Sequence, residues 1–149
     1  MTVFAQDFDL KNDVATQQLG ARLAVFLKPG DVLGLRGGLG AGKTSLARGF
    51  LQALIGEATE IPSPTYTLIQ VYETDNGEVW HGDMYRLKQA EECEELGLLD
   101  AFEDAICLIE WPDKLESYWP EDALDIILEF SGEGRRATLT GSKEWIMNV

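Results

Sequence analysis

Residues Gly37 to Thr44 read G-G-L-G-A-G-K-T, an unbroken match to G-x-x-x-x-G-K-[ST]. The spelling has a chemical reason. Glycines at this density let the backbone curl until successive N–H groups point inward, and such a nest holds phosphate oxygens. The whole run Gly37, Gly38, Leu39, Gly40, Ala41, Gly42, Lys43, Thr44 and Ser45 is therefore the expected nucleotide cradle. A helix opening near Lys43 would add its positive end to the same anion site. The Lys43 ammonium is suited to bridge β- and γ-phosphates, and the Thr44 hydroxyl to coordinate Mg²⁺. These residues predict binding of a nucleoside triphosphate.

Such a loop needs an acidic partner on the metal side, delivered at the end of an apolar strand. Two residues qualify. Glu110 follows the apolar run Ala105-Ile106-Cys107-Leu108-Ile109, and Asp83 follows the less apolar Val79-Trp80-His81-Gly82. Glu110 is the better metal ligand of the two. His81 is the only histidine, so neither a His-pair metal site nor a Ser-His-Asp triad is easily assembled. It reads as a structural histidine hydrogen-bonded beside Asp83. Arg135, in the last hairpin, can reach the nucleotide. Tyr85 and Arg86 suit either positioning of a switch segment or strand-end packing, while Trp80, Trp119 and Trp145 read as packing aromatics.

These groups must be carried by an alternation of strands and helices. Asn12 or Asp13 can cap a helix whose apolar positions are Ala15, Leu19, Leu23, Phe26 and Leu27, ended by Pro29-Gly30. The short apolar run 32–35 reads as a buried strand before the loop. After the loop, Leu46, Phe50, Ala53 and Leu54 recur at helical spacing, with Gly56 as a left-handed stop. Pro62 and Pro64 make 61–65 a loop. Asn76-Gly77 predicts a hairpin between two β-rich runs. The acidic segment 88–104 reads as one helix, 105–110 as a buried strand, and 123–130 with 135–141 as a final strand pair. The fold expected is a single domain over residues 1–149, α/β, a P-loop NTPase-like three-layer sandwich with a mixed, largely parallel central sheet.

Composition narrows the partners. The chain has 149 residues, 45% hydrophobic and 26% charged, enough for one ordinary core. Its formal charge is −14, unevenly divided: residues 1–56 carry 6 basic and 4 acidic side chains, and residues 57–149 carry 6 and 22. A surface this acidic repels DNA, tRNA backbone and anionic membrane, and it invites a basic protein face. The acidic helix is either a solvated face or that docking surface, since complementary charge speeds association. Cys93 and Cys107 make no disulfide framework, Cys107 reading as a buried hydrophobe and Cys93 as a thiol with its pKa raised by acidic neighbours. Without a basic n-region at its start or a run of about 20 apolar residues, a reduced cytoplasmic protein is expected.

The asparagines are Asn12, Asn76 and Asn148, and none opens the N-K-x-D sequence that reads guanine, so ATP is favoured over GTP. Small-molecule kinases close arginine-bearing lids over the phosphate; this chain has no insertion long enough for one, which disfavours a kinase without excluding it. A nucleotide switch that gates docking without hydrolysis stays open beside an ATPase.

Four blocks in order carry a closer likeness: GGLGAGKTS (37–45), SPTYTL (63–68), HGDMYRL (81–87) and LIEWP (108–112). Together they resemble the bacterial TsaE family, the small ATPase of tRNA threonylcarbamoyladenosine biosynthesis, from about residue 8 to residue 140. The resemblance implies an Mg²⁺-dependent ATPase supporting threonylcarbamoylation of adenosine 37 in tRNAs reading ANN codons. It implies docking on a TsaD–TsaB complex, with tRNA met only indirectly. It makes Lys43 and Thr44 the phosphate and Mg²⁺ residues, Glu110 a metal-side carboxylate and Asp83 a further acidic residue needed for activity. Thr65 would be a switch threonine sensing the γ-phosphate, and Trp111 would lie beside the nucleotide. One position departs from the family spelling G-D-L-G-A-G-K-T: Gly38 stands where aspartate is usual, which bears on magnesium handling and hydrolysis rate rather than on loop folding. With no evident arginine finger, turnover of the isolated chain is expected to be slow and partner-dependent.

Overall fold

The computed structural model of the chain describes residues 2–56, 61 and 68–149. Seven strands form one sheet: β1 (Phe4–Leu10), β2 (Val32–Arg36), β3 (Ile69–Thr74), β4 (Gly77–Asp83), β5 (Ile106–Glu110), β6 (Leu124–Ser131) and β7 (Gly134–Gly141). Their spatial order is β1-β7-β6-β2-β5-β4-β3. The central four, β6, β2, β5 and β4, run parallel, and antiparallel strands close both sides. Among the described residues the α-helices are α1 (Asp13–Leu23), α2 (Lys43–Ile55), α3 (Glu92–Glu95) and α4 (Leu98–Asp104), with 3-10 turns at Pro112–Tyr118 and Glu144–Asn148. This is the mixed three-layer α/β sandwich expected from the sequence.

The layers follow from side-chain alternation along strands covered on both faces. On β2, Leu33 and Leu35 join a core with α1 and α2 that includes Leu19, Leu23, Leu46, Phe50 and Leu51. Val32 faces the other way, into a second core with Cys107, Ile109, Leu98 and Leu115. Helices α1 and α2 meet backbone to backbone. A Cβ on Gly20 would stand 2.1 Å from the Leu46 carbonyl oxygen, and one on Gly49 would stand 2.1 Å from that of Gln17. Small residues at this crossing seat α2, and with it the phosphate loop, against α1.

Parallel pairing sets the geography of function. The ends of β2, β4, β5 and β6 lie on one edge, and β1 also ends there, because Leu10 pairs with Arg135 at the start of β7. Ligands of open α/β sheets bind at this carboxyl edge.

Several local expectations are corrected. Helix α1 stops at Leu23, where 24–27 tighten into a turn. Leu27 stays buried while Phe26 stacks on Trp145 at 5.2 Å. On α2 the inward stripe is Leu46, Ala47, Phe50 and Leu51, and Ala53 is exposed. The acidic segment forms two short helices, because Gly97 between them takes φ +80°. Strand β1 lay unread in an N-terminus of weak apolar alternation. Both cysteines are free and buried. Burial more than neighbouring charge raises the Cys93 thiol, and burial pushes Cys107 to about 12. No helix among the described residues is long and apolar enough to cross a membrane.

Candidate functional site

Strand β2 delivers the chain into the glycine loop, and α2 begins at Lys43 with Gly42, at φ +108°, as its N-cap. Gly37 has φ +143°, and a Cβ there would stand 2.5 Å from the Leu128 carbonyl oxygen on β6. Both positions thus demand glycine. Leu39 is 69% exposed, so its contribution to a cradle is its backbone. A Cβ on Gly38 would meet nothing within 4 Å, so neither space nor backbone conformation requires glycine there.

The loop forms one wall of a cavity of about 760 Å³. Leu39 to Ser45, Asp83, Glu110, Trp111 and Arg135 all line it, so the phosphate loop, both strand-end carboxylates and the last hairpin converge on one space. Lys11, Asn12, Asp13 and Thr16 line it as well. No chemical motif marks these four; the one available signal is Asn12 as a helix cap, and its side chain does accept from Ala15 N–H at 2.9 Å. Thr65 lies outside the described residues.

Three side chains from three elements make the centre. The Thr44 hydroxyl, at the start of α2, lies 3.0 and 3.2 Å from the two Glu110 carboxylate oxygens at the end of β5. His81 Nε2 on β4 lies 2.7 Å from Glu110 Oε2. The histidine's partner is therefore Glu110 and not Asp83. Both are almost fully buried, at 1% and 3% exposure. Asp83 pairs with Glu110 in the parallel register and accepts the Tyr85 N–H at 3.0 Å. Burial raises the Asp83 pKa, and the Glu110 charge adds to the rise against opposing effects of the Tyr85 N–H, His81 and Lys43.

Lys43 is buried. Its ammonium donates to the carbonyl oxygens of Gly37 and Gly38, the latter at 3.1 Å. It also sits 3.9 Å from the centre of the Trp111 ring, a cation–π contact. Burial lowers its pKa, partly offset by the charges of Glu110 and Asp83. Trp111 takes left-handed dihedrals, φ 57° and ψ 53°, a conformation costly for a bulky residue and often found at functional sites. That turn brings its ring over Lys43 and 5.0 Å from Tyr85. Arg135 donates to the Gly40 carbonyl at 3.0 Å and lies 4.2 Å over the exposed Phe130 ring.

The donor set suits a small hard cation. Mg²⁺ takes oxygen ligands and commonly uses one or two protein groups, completing its shell with phosphate and water. The Thr44 hydroxyl and the Glu110 carboxylate form such a pair. Among the described residues no group of three or more His, Cys, Asp or Glu side chains could hold a metal.

The family described as threonylcarbamoyl adenosine biosynthesis protein TsaE matches residues 10–138. Relatives named tRNA threonylcarbamoyladenosine biosynthesis protein TsaE include one from Rickettsia felis, 39% identical over 137 residues, spanning 91% of this chain and 80% of its own length. Another, from Haemophilus influenzae, is 42% identical over 116 residues, spanning 77% of this chain and 73% of its own. The crystal structure of YdiB from Bacillus subtilis matches the fold with a TM-score of 0.77 and 30% identity, over 99% of this chain and 93% of that one.

Proposed function

The chain belongs to the TsaE family of threonylcarbamoyl adenosine biosynthesis proteins, and on that premise we propose that it is the ATP-binding and ATP-hydrolysing subunit of that tRNA modification. It supports threonylcarbamoylation of adenosine 37 in tRNAs reading ANN codons, in the cytoplasm, by docking on a TsaD–TsaB complex that holds the tRNA. The observation that carries this reading is the convergence of the Lys43 ammonium, Thr44 hydroxyl and Glu110 carboxylate beside one glycine loop.

Each residue then has a physical task. The loop N–H groups and the start of α2 receive the phosphates. Lys43, held here by two carbonyls and an indole face, exchanges those neutral partners for phosphate oxygens, which restore the favour for its charge that burial removed. Thr44 and Glu110 would hold Mg²⁺, which when bound offsets charge on the phosphate oxygens. Trp111 and Arg135 flank the nucleotide, Asp83 supplies a second carboxylate beside Glu110, and Thr65 senses the γ-phosphate. Turnover by the isolated chain is slow and rises with the partner complex. The net −16 of residues 57–149 suits a basic protein face and not direct contact with tRNA.

Replacing Glu110 with Ala tests the reading. An ATPase loses turnover and modified tRNA while still binding ATP. If modification proceeds unchanged with hydrolysis abolished, the chain is a docking switch and the ATPase reading fails.

A further inference from the structure

The one histidine of the chain is not used by the reading above. His81 is 1% exposed on β4. Its Nε2 stands 2.7 Å from Glu110 Oε2, while Nδ1 is buried and has no hydrogen-bond partner among the described residues. These two facts select a tautomer. With the proton on Nδ1, an N–H would be orphaned in the core and a bare Nε2 lone pair would face a carboxylate oxygen. With the proton on Nε2, the ring donates to Glu110 and only one acceptor is left unpaired, with no orphaned N–H and no lone pair facing the carboxylate.

Glu110 is thereby held from two elements. Thr44 on α2 approaches both carboxylate oxygens, and His81 on β4 holds Oε2. A glutamate side chain has three rotatable bonds, and a buried one without rigid donors would sample several orientations of its carboxylate plane. The imidazole is 1% exposed, and the parallel register of β4 and β5, with His81 opposite Leu108 and Asp83 opposite Glu110, fixes the spacing of the two backbones that carry the pair. Outer-shell donors of this kind orient the carboxylates that meet metals.

We infer that His81 is a positioning residue for Glu110: its Nε2–H donates to Oε2 and leaves Oε1, with the Thr44 hydroxyl, as the oxygen pair available to a magnesium–nucleotide complex. The inference rests on the magnesium-dependent ATPase reading for its purpose, and on the hydrogen bond itself for its geometry.

Two measurements on the full chain test it. Because His81 is the only histidine, the imidazole ¹⁵N spectrum of the labelled nucleotide-free chain contains one ring system. It should show the proton on Nε2, and Glu110→Gln should shift that signal. A proton on Nδ1 in the wild type overturns the inference, whatever the variants do. The second measurement compares His81→Ala with His81→Gln, whose amide can donate from a similar reach. In His81→Ala, kcat in the presence of the partner complex should fall about 10- to 100-fold and the Mg²⁺ concentration for half-maximal turnover should rise. ATP affinity in EDTA, read from intrinsic tryptophan fluorescence, should stay within about two-fold, and His81→Gln should recover most of the loss. Equal loss in both variants with an unchanged Mg²⁺ requirement would make His81 a packing residue only and overturn the inference. Failure of the ATPase reading looks different: wild-type chain that neither binds nor hydrolyses ATP, with an imidazole spectrum that still decides whether the hydrogen bond exists.

Discussion

Replacing Thr44 with Val keeps the branched shape and removes only the hydroxyl. In the nucleotide-free chain that hydroxyl spans both oxygens of a buried carboxylate at 3.0 and 3.2 Å. A hydrogen bond to a charged group contributes about 1.5–3 kcal/mol, and valine leaves no cavity to add to the loss. Glu110 keeps His81 as a second donor at 2.7 Å, which places the cost at the low end. For a domain of this size, each kcal/mol lowers Tm by about 2–4 °C, so Thr44→Val should melt roughly 3–6 °C below the wild type. The same change should act selectively on nucleotide binding. In EDTA, ATP affinity from intrinsic tryptophan fluorescence should match the wild type within about two-fold, because the loop backbone and Lys43 are untouched. With Mg²⁺ present, the wild type should tighten and Thr44→Val should not. Scanning calorimetry and the paired titrations read both effects. An unchanged Tm together with a retained magnesium enhancement would show that the hydroxyl neither holds Glu110 nor meets the cation.

Asn12 caps α1 through Ala15 N–H at 2.9 Å, so Asn12→Ala should lower stability by about 0.5–2 kcal/mol; an unmoved urea midpoint would contradict this. Gly49→Ala should destabilise by about 1–3 kcal/mol despite the better helix propensity of alanine, because its Cβ meets Gln17 backbone at 2.1 Å; a more stable variant would show that α1 can slide. Asp83 has a raised pKa, so its favourable contribution is complete below the unfolded-state value and is lost as pH rises through the higher folded-state value. Asp83→Asn should therefore raise the Tm of the nucleotide-free chain at neutral pH, and the gain should shrink as pH falls into the carboxylate range. Thermal melts across pH check this, and a gain that grows on acidification would reverse the sign.

The phosphate loop was legible because its chemistry needs contiguous residues, and its strand and helix context was legible because both carry strong apolar periodicity. Glu110 could be placed at a strand end from the apolar run before it. What bound Glu110 could not be read, since His81 lies 29 residues away and meets it only through the register of β4 and β5. Proximity in sequence suggested Asp83 instead. Strand β1 escaped notice because its alternating residues are half-buried and mixed with aspartate, leaving little contrast between faces. Its pairing with β7 is what carries Lys11, Asn12 and Asp13 to the cavity, so that part of the lining depends on topology alone. Ala53 was misassigned by phase: a helix that buries Leu46, Ala47, Phe50 and Leu51 turns position 53 to solvent.

A modification assay reconstituted with TsaD and TsaB decides whether this chain supplies ATP hydrolysis to tRNA threonylcarbamoylation. Modified adenosine should accumulate over repeated turnovers when the wild-type chain and ATP are present. It should stall when the chain is omitted or replaced by Lys43→Ala. Modification that proceeds equally in all three mixtures would contradict the account.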